Sequence, residues 1–195
     1  MKLGQPKEML VLSSTSQIKI AAITDAMIEV FWRNRQSDFD FISQKLEKSQ
    51  VDKVDTDVRG VPPQPYGEDE IKSGVKVGNA RLAELFENAV CISIETWLRD
   101  ANVVSGYVDQ TYIGVTIGNK IIEGWSEPFE MPRDAVEKSF TTNRQETAAM
   151  FVDPINPKDP YLKLSNGETT RQGLITATLI PIFEKLKTVL ESEIS

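Results

Sequence analysis

The segment Met9-Leu-Val-Leu-Ser13 constrains this chain most, because a short apolar run stops there at hydroxyl residues and passes straight into a helical pattern. A compact apolar run of this length reads as a buried strand. Ser14-Thr15-Ser16 supplies N-cap chemistry, and Ile20, Ile23, Met27, Val30 and Phe31 follow at helical spacing to about Trp32. The chain therefore opens with strand, polar turn and helix. A further buried strand at Val90–Ile94 is preceded by a helix whose apolar face carries Ile71, Val75, Leu82, Leu85 and Phe86. Parallel strands joined by helices, with antiparallel strands between them, predict an α/β fold with a mixed β-sheet flanked by helices. At 195 residues the chain suits a single domain, with no internal repeat and no linker to divide it.

The remaining elements follow from punctuation. Arg33–Lys53 reads as an irregular insertion with a short helix, and Val54–Val58 alternates as an edge strand. Gly60-Val-Pro-Pro-Gln-Pro-Tyr-Gly67 is a rigid loop, since three prolines fix φ and remove donors. Val103–Val108, Tyr112–Ile117 and Lys120–Ile122 read as antiparallel strands turning at Asp109-Gln110 and Gly118-Asn119. Pro132–Phe140 is a short helix, and Thr141–Asp153 is helical in part. Pro154, Pro157 and Pro160 mark a loop ending in Ser165-Asn166-Gly167. The last helix carries Leu174 to Leu190, with a kink expected at Pro181.

Composition removes several classes of function. The chain has no histidine, so Ser-His-Asp triads, Cys-His dyads and histidine metal sites are excluded. A net charge of −7 repels polyanions, which argues against a nucleic-acid polymer as partner but not against a small nucleotide bridged by a cation. The lone Cys91 cannot form an internal disulfide and sits in an apolar run as a packed thiol, as expected for a cytoplasmic protein. No apolar stretch approaches the roughly 20 residues of a membrane span. Met1–Glu8 does not read as a signal peptide.

Four groups of residues can carry chemistry. Ser14, Thr15, Ser16 and Lys19 put hydroxyls, backbone donors and an ammonium at a helix N-terminus, where an anion binds; the same residues also read as a plain cap with a surface lysine. Glu68-Asp69-Glu70 offers oxygen ligands for Mg²⁺, or simply acids favoured at a helix start. Glu95 ends the apolar run of a strand, at the carboxyl end where α/β sheets bind ligands, or stands as an exposed terminus; Asp57 and Asp100 are weaker candidates of the same kind. Thr169-Thr170-Arg171 opens the last helix with an arginine suited to a base, or with a cap and a solvated arginine.

In order along the chain, these segments resemble the inosine/xanthosine triphosphatase family. Ser14-Thr-Ser-Gln-Ile-Lys19 is similar to its Thr-Thr-Asn-x-x-Lys helix start, and Ile92-Ser-Ile-Glu95 to its strand ending in Ile-Glu. Gly60-Val-Pro-Pro-Gln-Pro-Tyr-Gly-Glu-Asp-Glu-Ile-Lys-Ser-Gly74 resembles its Gly-Val-x-x-Gln-Pro-aromatic-Gly segment, and Thr170-Arg171 its Thr-Arg before the last helix. The resemblance implies a fold like the inosine triphosphate pyrophosphatases and Maf proteins, with a central cleft. It also implies a homodimer that depends on Mg²⁺ or Mn²⁺ and hydrolyses aberrant purine nucleoside triphosphates such as ITP and XTP. By position, Ser14 to Lys19 would hold phosphates, Glu70 and Glu95, with Asp69 beside them, would hold metal, and Thr170 and Arg171 would lie near the base. The chain departs from the pattern at Ser16, where the family has asparagine, and at Thr96-Trp97, where it has small residues. Asp153–Asn166 also replaces a glycine-rich segment. Glu95-Thr-Trp is closer to a similar domain in some eukaryotic proline-rich proteins. That implies the alternative of a catalytically inactive nucleotide-sensing or protein-binding relative.

Overall fold

The computed structural model describes residues 10–14, 16–32, 66–86, 88–101, 103–104, 106–141 and 159–193. β1 (Leu10–Leu12) leads into α1 (Gln17–Met27), which runs on through a π-helical turn at Ile28–Trp32. After α2 (Glu68–Leu85) come β2 (Val90–Asp100), β3 (Tyr107–Ile117), β4 (Lys120–Trp125) and β5 (Phe129–Glu130). Three helices follow: α3 (Arg133–Thr141), the single turn α4 (Pro160–Leu164) and the long α5 (Arg171–Glu193) with Pro181 inside it.

The sheet is mixed and open. β1 pairs parallel with β2, while β2–β3, β3–β4 and β3–β5 are antiparallel. β4 and β5 share one edge of β3, and Ser126 bridges the gap between them. Its backbone N–H donates to Thr111 O, and its hydroxyl accepts from the Thr111 N–H at 2.9 Å. β2 is buried from Val90 to Leu98, as a strand covered on both faces must be.

Alternation sends successive side chains of β2 to opposite faces. Ile92 and Ile94, with Ile113 and Val115 of β3, face α1 and α5 and join Ala22, Ile23, Ala26, Met27, Leu179 and Phe183 in the largest core cluster. Each such aliphatic side chain contributes about 1.5–3 kcal/mol when fully buried. On the other face, α2 sets Leu82 against Val11 and Cys91, and Ile71 and Val75 against Trp97 and Tyr112. Burial pushes the Cys91 thiol up to about 11, which leaves it an inert packing group.

Small residues let α2 approach this closely. A Cβ on Gly78 would lie 2.5 Å from Ser93 Oγ, and one on Gly114 would lie 2.5 Å from Val75 Cγ1. A buried polar seam fills the same contact. Ser13 Oγ donates to Ser93 Oγ at 2.7 Å, and Asn79 Nδ2 donates to Gly114 O and Thr116 Oγ1, each at 3.0 Å.

Three expectations change. β2 does not end near Glu95 but runs on to Asp100, because Glu95 to Asp100 pair with Tyr112 to Tyr107. Asp109-Gln110 is not a turn: both lie within β3, and the chain reverses before Gly106. Asp109 is instead buried, accepting from the Tyr161 hydroxyl at 2.7 Å, and Gln110 accepts from Arg99 Nε at 3.0 Å. Pro160 does not extend a loop but starts α4, where proline costs no helical hydrogen bond. The insertion at 33–53, the strand at 54–58, the loop from Gly60 to Pro65 and the segment 142–158 lie outside the described residues, as does Thr15.

The contact at Gly114 is testable. Gly114→Ala should lower stability by about 1–3 kcal/mol in urea denaturation, the usual penalty of overpacking, and Val75→Ala in the same chain should recover part of that loss. An unchanged midpoint in Gly114→Ala would contradict the close helix–sheet contact.

Candidate functional site

The site is built where β1 stops. Leu12 pairs with Ile92, Ser13 N–H donates to Ile92 O at 2.9 Å, and the chain then turns away into α1. The next carbonyl on that edge of β2, Ile94 O, accepts a hydrogen bond from Lys19 Nζ. Lys19 is only 9% exposed. The following residue, Glu95, is 6% exposed and points to the opposite face of the strand. A buried ammonium and a buried carboxylate thus stand one residue apart along β2. Charges are rarely tolerated inside unless each is matched by partners.

Ser14 and Ser16 shape the turn before Lys19. Ser14 Oγ accepts from the Ser16 N–H at 3.2 Å, and Ser16 is the N-cap of α1 without making a side-chain cap hydrogen bond. The first turn of α1 therefore presents backbone donors that its own capping residue does not cover. Thr15 lies outside the described residues.

The first turn of α2 lies toward the far end of β2. Tyr66 bridges Leu98, and Gly67 turns the chain at φ 107°, a conformation open to glycine. Glu70 Oε2 accepts from the Tyr66 N–H at 2.8 Å, so this carboxylate secures the helix start. Asp69 is exposed, and Glu68 forms an exposed ion pair with Lys72. Among the described residues no group of three or more Asp, Glu, His or Cys side chains gathers as a metal cage. Glu95 and Glu70 suit Mg²⁺ in kind, as hard oxygen donors, but not in number. An ion there would need phosphate oxygens and water to complete its shell.

Thr170 and Arg171 lie elsewhere. Thr170 Oγ1 accepts from the Gly173 N–H at 2.9 Å and caps α5. The buried Asp159 carboxylate accepts from the Tyr161 N–H at 3.2 Å, the Arg171 N–H at 3.0 Å and the Gln172 N–H at 3.3 Å, closing the starts of α4 and α5 together. The Arg171 guanidinium lies 6.0 Å over the Tyr161 ring. Tyr161 is hydrogen-bonded to Asp109, which pairs with Leu98, so this group belongs to the set that alternates with Glu95 and Trp97. The structure sets Lys19 on the carbonyl that precedes Glu95, with Ser14 and Ser16 in the turn ahead of it, places Glu70 at the start of the helix covering Glu95's face, and uses Thr170 and the Arg171 N–H in a helix cap.

Sequence reasoning did not select the aromatic row beside Glu95. Glu95 pairs with Tyr112 and Tyr112 with Trp125, which places the three in one line across β2, β3 and β4. The Tyr112 and Trp125 rings are 4.4 Å apart, Trp97 and Trp125 5.5 Å, and Lys72 Nζ sits 5.9 Å over Trp125. The Tyr112 hydroxyl donates to Glu123 Oε2. Period-two alternation of Glu95 and Trp97, and of Tyr112 and Gly114, was the signal that could have shown one shared face.

The chain matches no protein-family model and no curated protein. It is similar in structure to protein VC0702 from Vibrio cholerae, with a TM-score of 0.64 over 90% of this chain and 92% of that one. At 16% identity, that likeness shows the fold alone. No helix of the described residues is long and apolar enough to cross a membrane.

Two predictions follow from the geometry around the site. Asp159→Ala should cost about 1–3 kcal/mol in thermal or urea unfolding, since one buried and two part-buried N–H groups lose their acceptor. Burial and the hydrogen bond to Asp100 push the Tyr66 phenol up to about 12, and burial followed by the Glu123 hydrogen bond pushes Tyr112 higher still. An unfolded tyrosine titrates near 10, so the fold favours the protonated phenols. The stability they supply is complete below about pH 10 and is lost as pH rises through about 12. Phenolate absorbance should therefore show late ionisation that coincides with loss of structure, and Tyr66→Phe should lessen the late component; full ionisation by pH 10.5 in folded protein would contradict this.

Proposed function

We propose that this chain is a metal-dependent nucleoside triphosphatase that hydrolyses aberrant purine nucleoside triphosphates such as ITP and XTP. Its fold would be of the inosine triphosphate pyrophosphatase kind, with the nucleotide in a central cleft beyond the end of β1. The observation that carries this reading is buried Lys19 on Ile94 O, the residue before buried Glu95, beside a helix start whose Ser16 makes no side-chain cap. An ammonium and oriented N–H donors are what a polyphosphate needs.

In this reading the first-turn N–H groups of α1, with Ser14, Ser16 and Lys19, bind and orient the phosphates. The Glu95 carboxylate orients a water and accepts its proton as the oxygen attacks phosphorus. One P–O bond forms and the phosphoanhydride P–O bond breaks, the leaving oxygen departing on the nucleoside diphosphate when phosphate is the product or on pyrophosphate when the nucleoside monophosphate is. Mg²⁺ or Mn²⁺, held by Glu95 and Glu70 with Asp69 nearby, would neutralise charge on the phosphates. A homodimer in the cytoplasm is part of the same proposal.

A second reading is favoured by Trp97, which is 6% exposed and packs on Ile71 and Val75 directly beyond Glu95. Its bulk suits a nucleotide sensor or protein-binding relative that holds a ligand without turning it over. Release of phosphate and pyrophosphate from ITP, XTP and the four ordinary triphosphates, with Mg²⁺ or Mn²⁺, separates the two. Catalysis predicts release that falls about a hundredfold in Lys19→Ala or Glu95→Gln, as when one oriented donor is removed from a charged transition state. Release no greater than in Lys19→Ala, with thermal stabilisation by nucleotide, would leave the second reading. Neither release nor stabilisation would end both.

A further inference from the structure

The Trp97 indole N–H is buried and has no hydrogen-bond partner among the described residues. A donor left unmatched in a site of low polarity is costly, and such groups in native structures call for an explanation. The surroundings are ordered and aromatic. Trp97 follows Glu95 by two positions and shares its face; Tyr112 stands across from Glu95, and half-buried Trp125 across from Tyr112. The wall thus runs from a buried indole outward to a ring that solvent reaches. Over the Trp125 ring sits Lys72, an exposed side chain paired with exposed Glu68. Exposed ion pairs of this kind are held weakly.

We infer that Trp97, with Tyr112 and Trp125, receives the flat heterocycle of the ligand, the Trp97 N–H donating to an acceptor atom on the ring. This inference rests on the nucleotide-binding reading but not on turnover, and gives the base a place on the same face as Glu95. A planar heteroaromatic ring is the ligand class that suits it, because stacking rewards a π face and the indole N–H demands an acceptor. Tyr112, whose hydroxyl is committed to Glu123, contributes its ring. Displacement of Lys72 from Trp125 would expose the outer end of the wall.

The test measures binding of ITP and of inorganic tripolyphosphate, both with Mg²⁺, by calorimetry to the full chain, to Trp97→Phe and to Trp125→Leu. Trp97→Phe keeps a ring and removes the N–H. It should weaken ITP about tenfold, the scale of one lost hydrogen bond with its desolvation, and leave tripolyphosphate unchanged. Trp125→Leu should weaken ITP as well, again without effect on tripolyphosphate. Unchanged tripolyphosphate affinity also shows that each variant is folded. ITP bound no more tightly than tripolyphosphate, or equally by wild type and Trp97→Phe, would overturn this inference and leave the phosphate-binding reading standing. Failure of the wild type to bind either ligand would overturn both.

Discussion

A buried ammonium must find acceptors, and where Lys19 finds one fixes how the first helix meets the sheet. Lys19 lies in helical phase with Ala22, Ile23, Ala26 and Met27, the stripe of α1 that packs into the main core. It is the polar head of an apolar face. Leaving Lys19 Nζ unmatched there would cost far more than a single aliphatic contact supplies. The carbonyl it takes, Ile94 O, is open only because β1 ends two residues earlier in the register. Shortness of β1, the start of α1 and the burial of Lys19 are therefore one constraint. Extending β1 by another pair would deprive the lysine of this acceptor.

The opposite face is governed by how closely α2 can lie. Gly78 and Gly114 remove side-chain bulk where Ser93 and Val75 press in, and the hydroxyl pair Ser13–Ser93 needs that proximity. Asn79 then reaches Gly114 O and Thr116. A polar seam of this kind is favourable only when its groups are matched. Toward the other end of α2 the contact becomes aromatic, with Ile71 and Val75 on Trp97 and Tyr112. Glu95 lies at the junction, between hydroxyl chemistry on one side and rings on the other. One face of β2 thus offers both polar and stacking chemistry.

The fold was largely legible because its strongest signals are local. The Met9–Ser13 run, the cap residues Ser14 and Ser16, and the stripe through Ile23 and Met27 gave the opening strand and helix; Ile71 to Leu82 gave α2. What could not be read locally was pairing. Asp109-Gln110 looks like a turn until Tyr161, 52 residues away, supplies a buried donor for the aspartate. Glu95 looks like a strand end because a charge interrupts an apolar run, whereas the Tyr107–Tyr112 half of β3 carries β2 onward to Asp100. In the candidate site, Lys19 and Glu95 could be singled out by type and order, but not that both are buried or that Lys19 reaches the Ile94 carbonyl. For Thr170-Arg171 the cap was one of the two readings; what could not be read was that Asp159, a residue outside the helix and before a separate turn, accepts from the Arg171 and Gln172 N–H groups.

That last difference explains why two helix starts with similar sequences are not equivalent. Both α1 and α5 begin after small hydroxyl residues, and both direct a positive dipole end outward. At α5, Thr170 caps one N–H and the Asp159 carboxylate takes two more, so an anion from the chain itself already occupies the position a phosphate would fill. Asp159 also caps α4, which binds the two helices into one rigid corner. At α1 Ser16 makes no side-chain cap, Ser14 accepts from the Ser16 N–H, and Lys19 reaches from the first turn to Ile94 O. An incoming polyanion would have to displace an internal carboxylate at α5. The asymmetry of the caps, rather than the hydroxyl residues they share, is therefore what distinguishes the two helix starts.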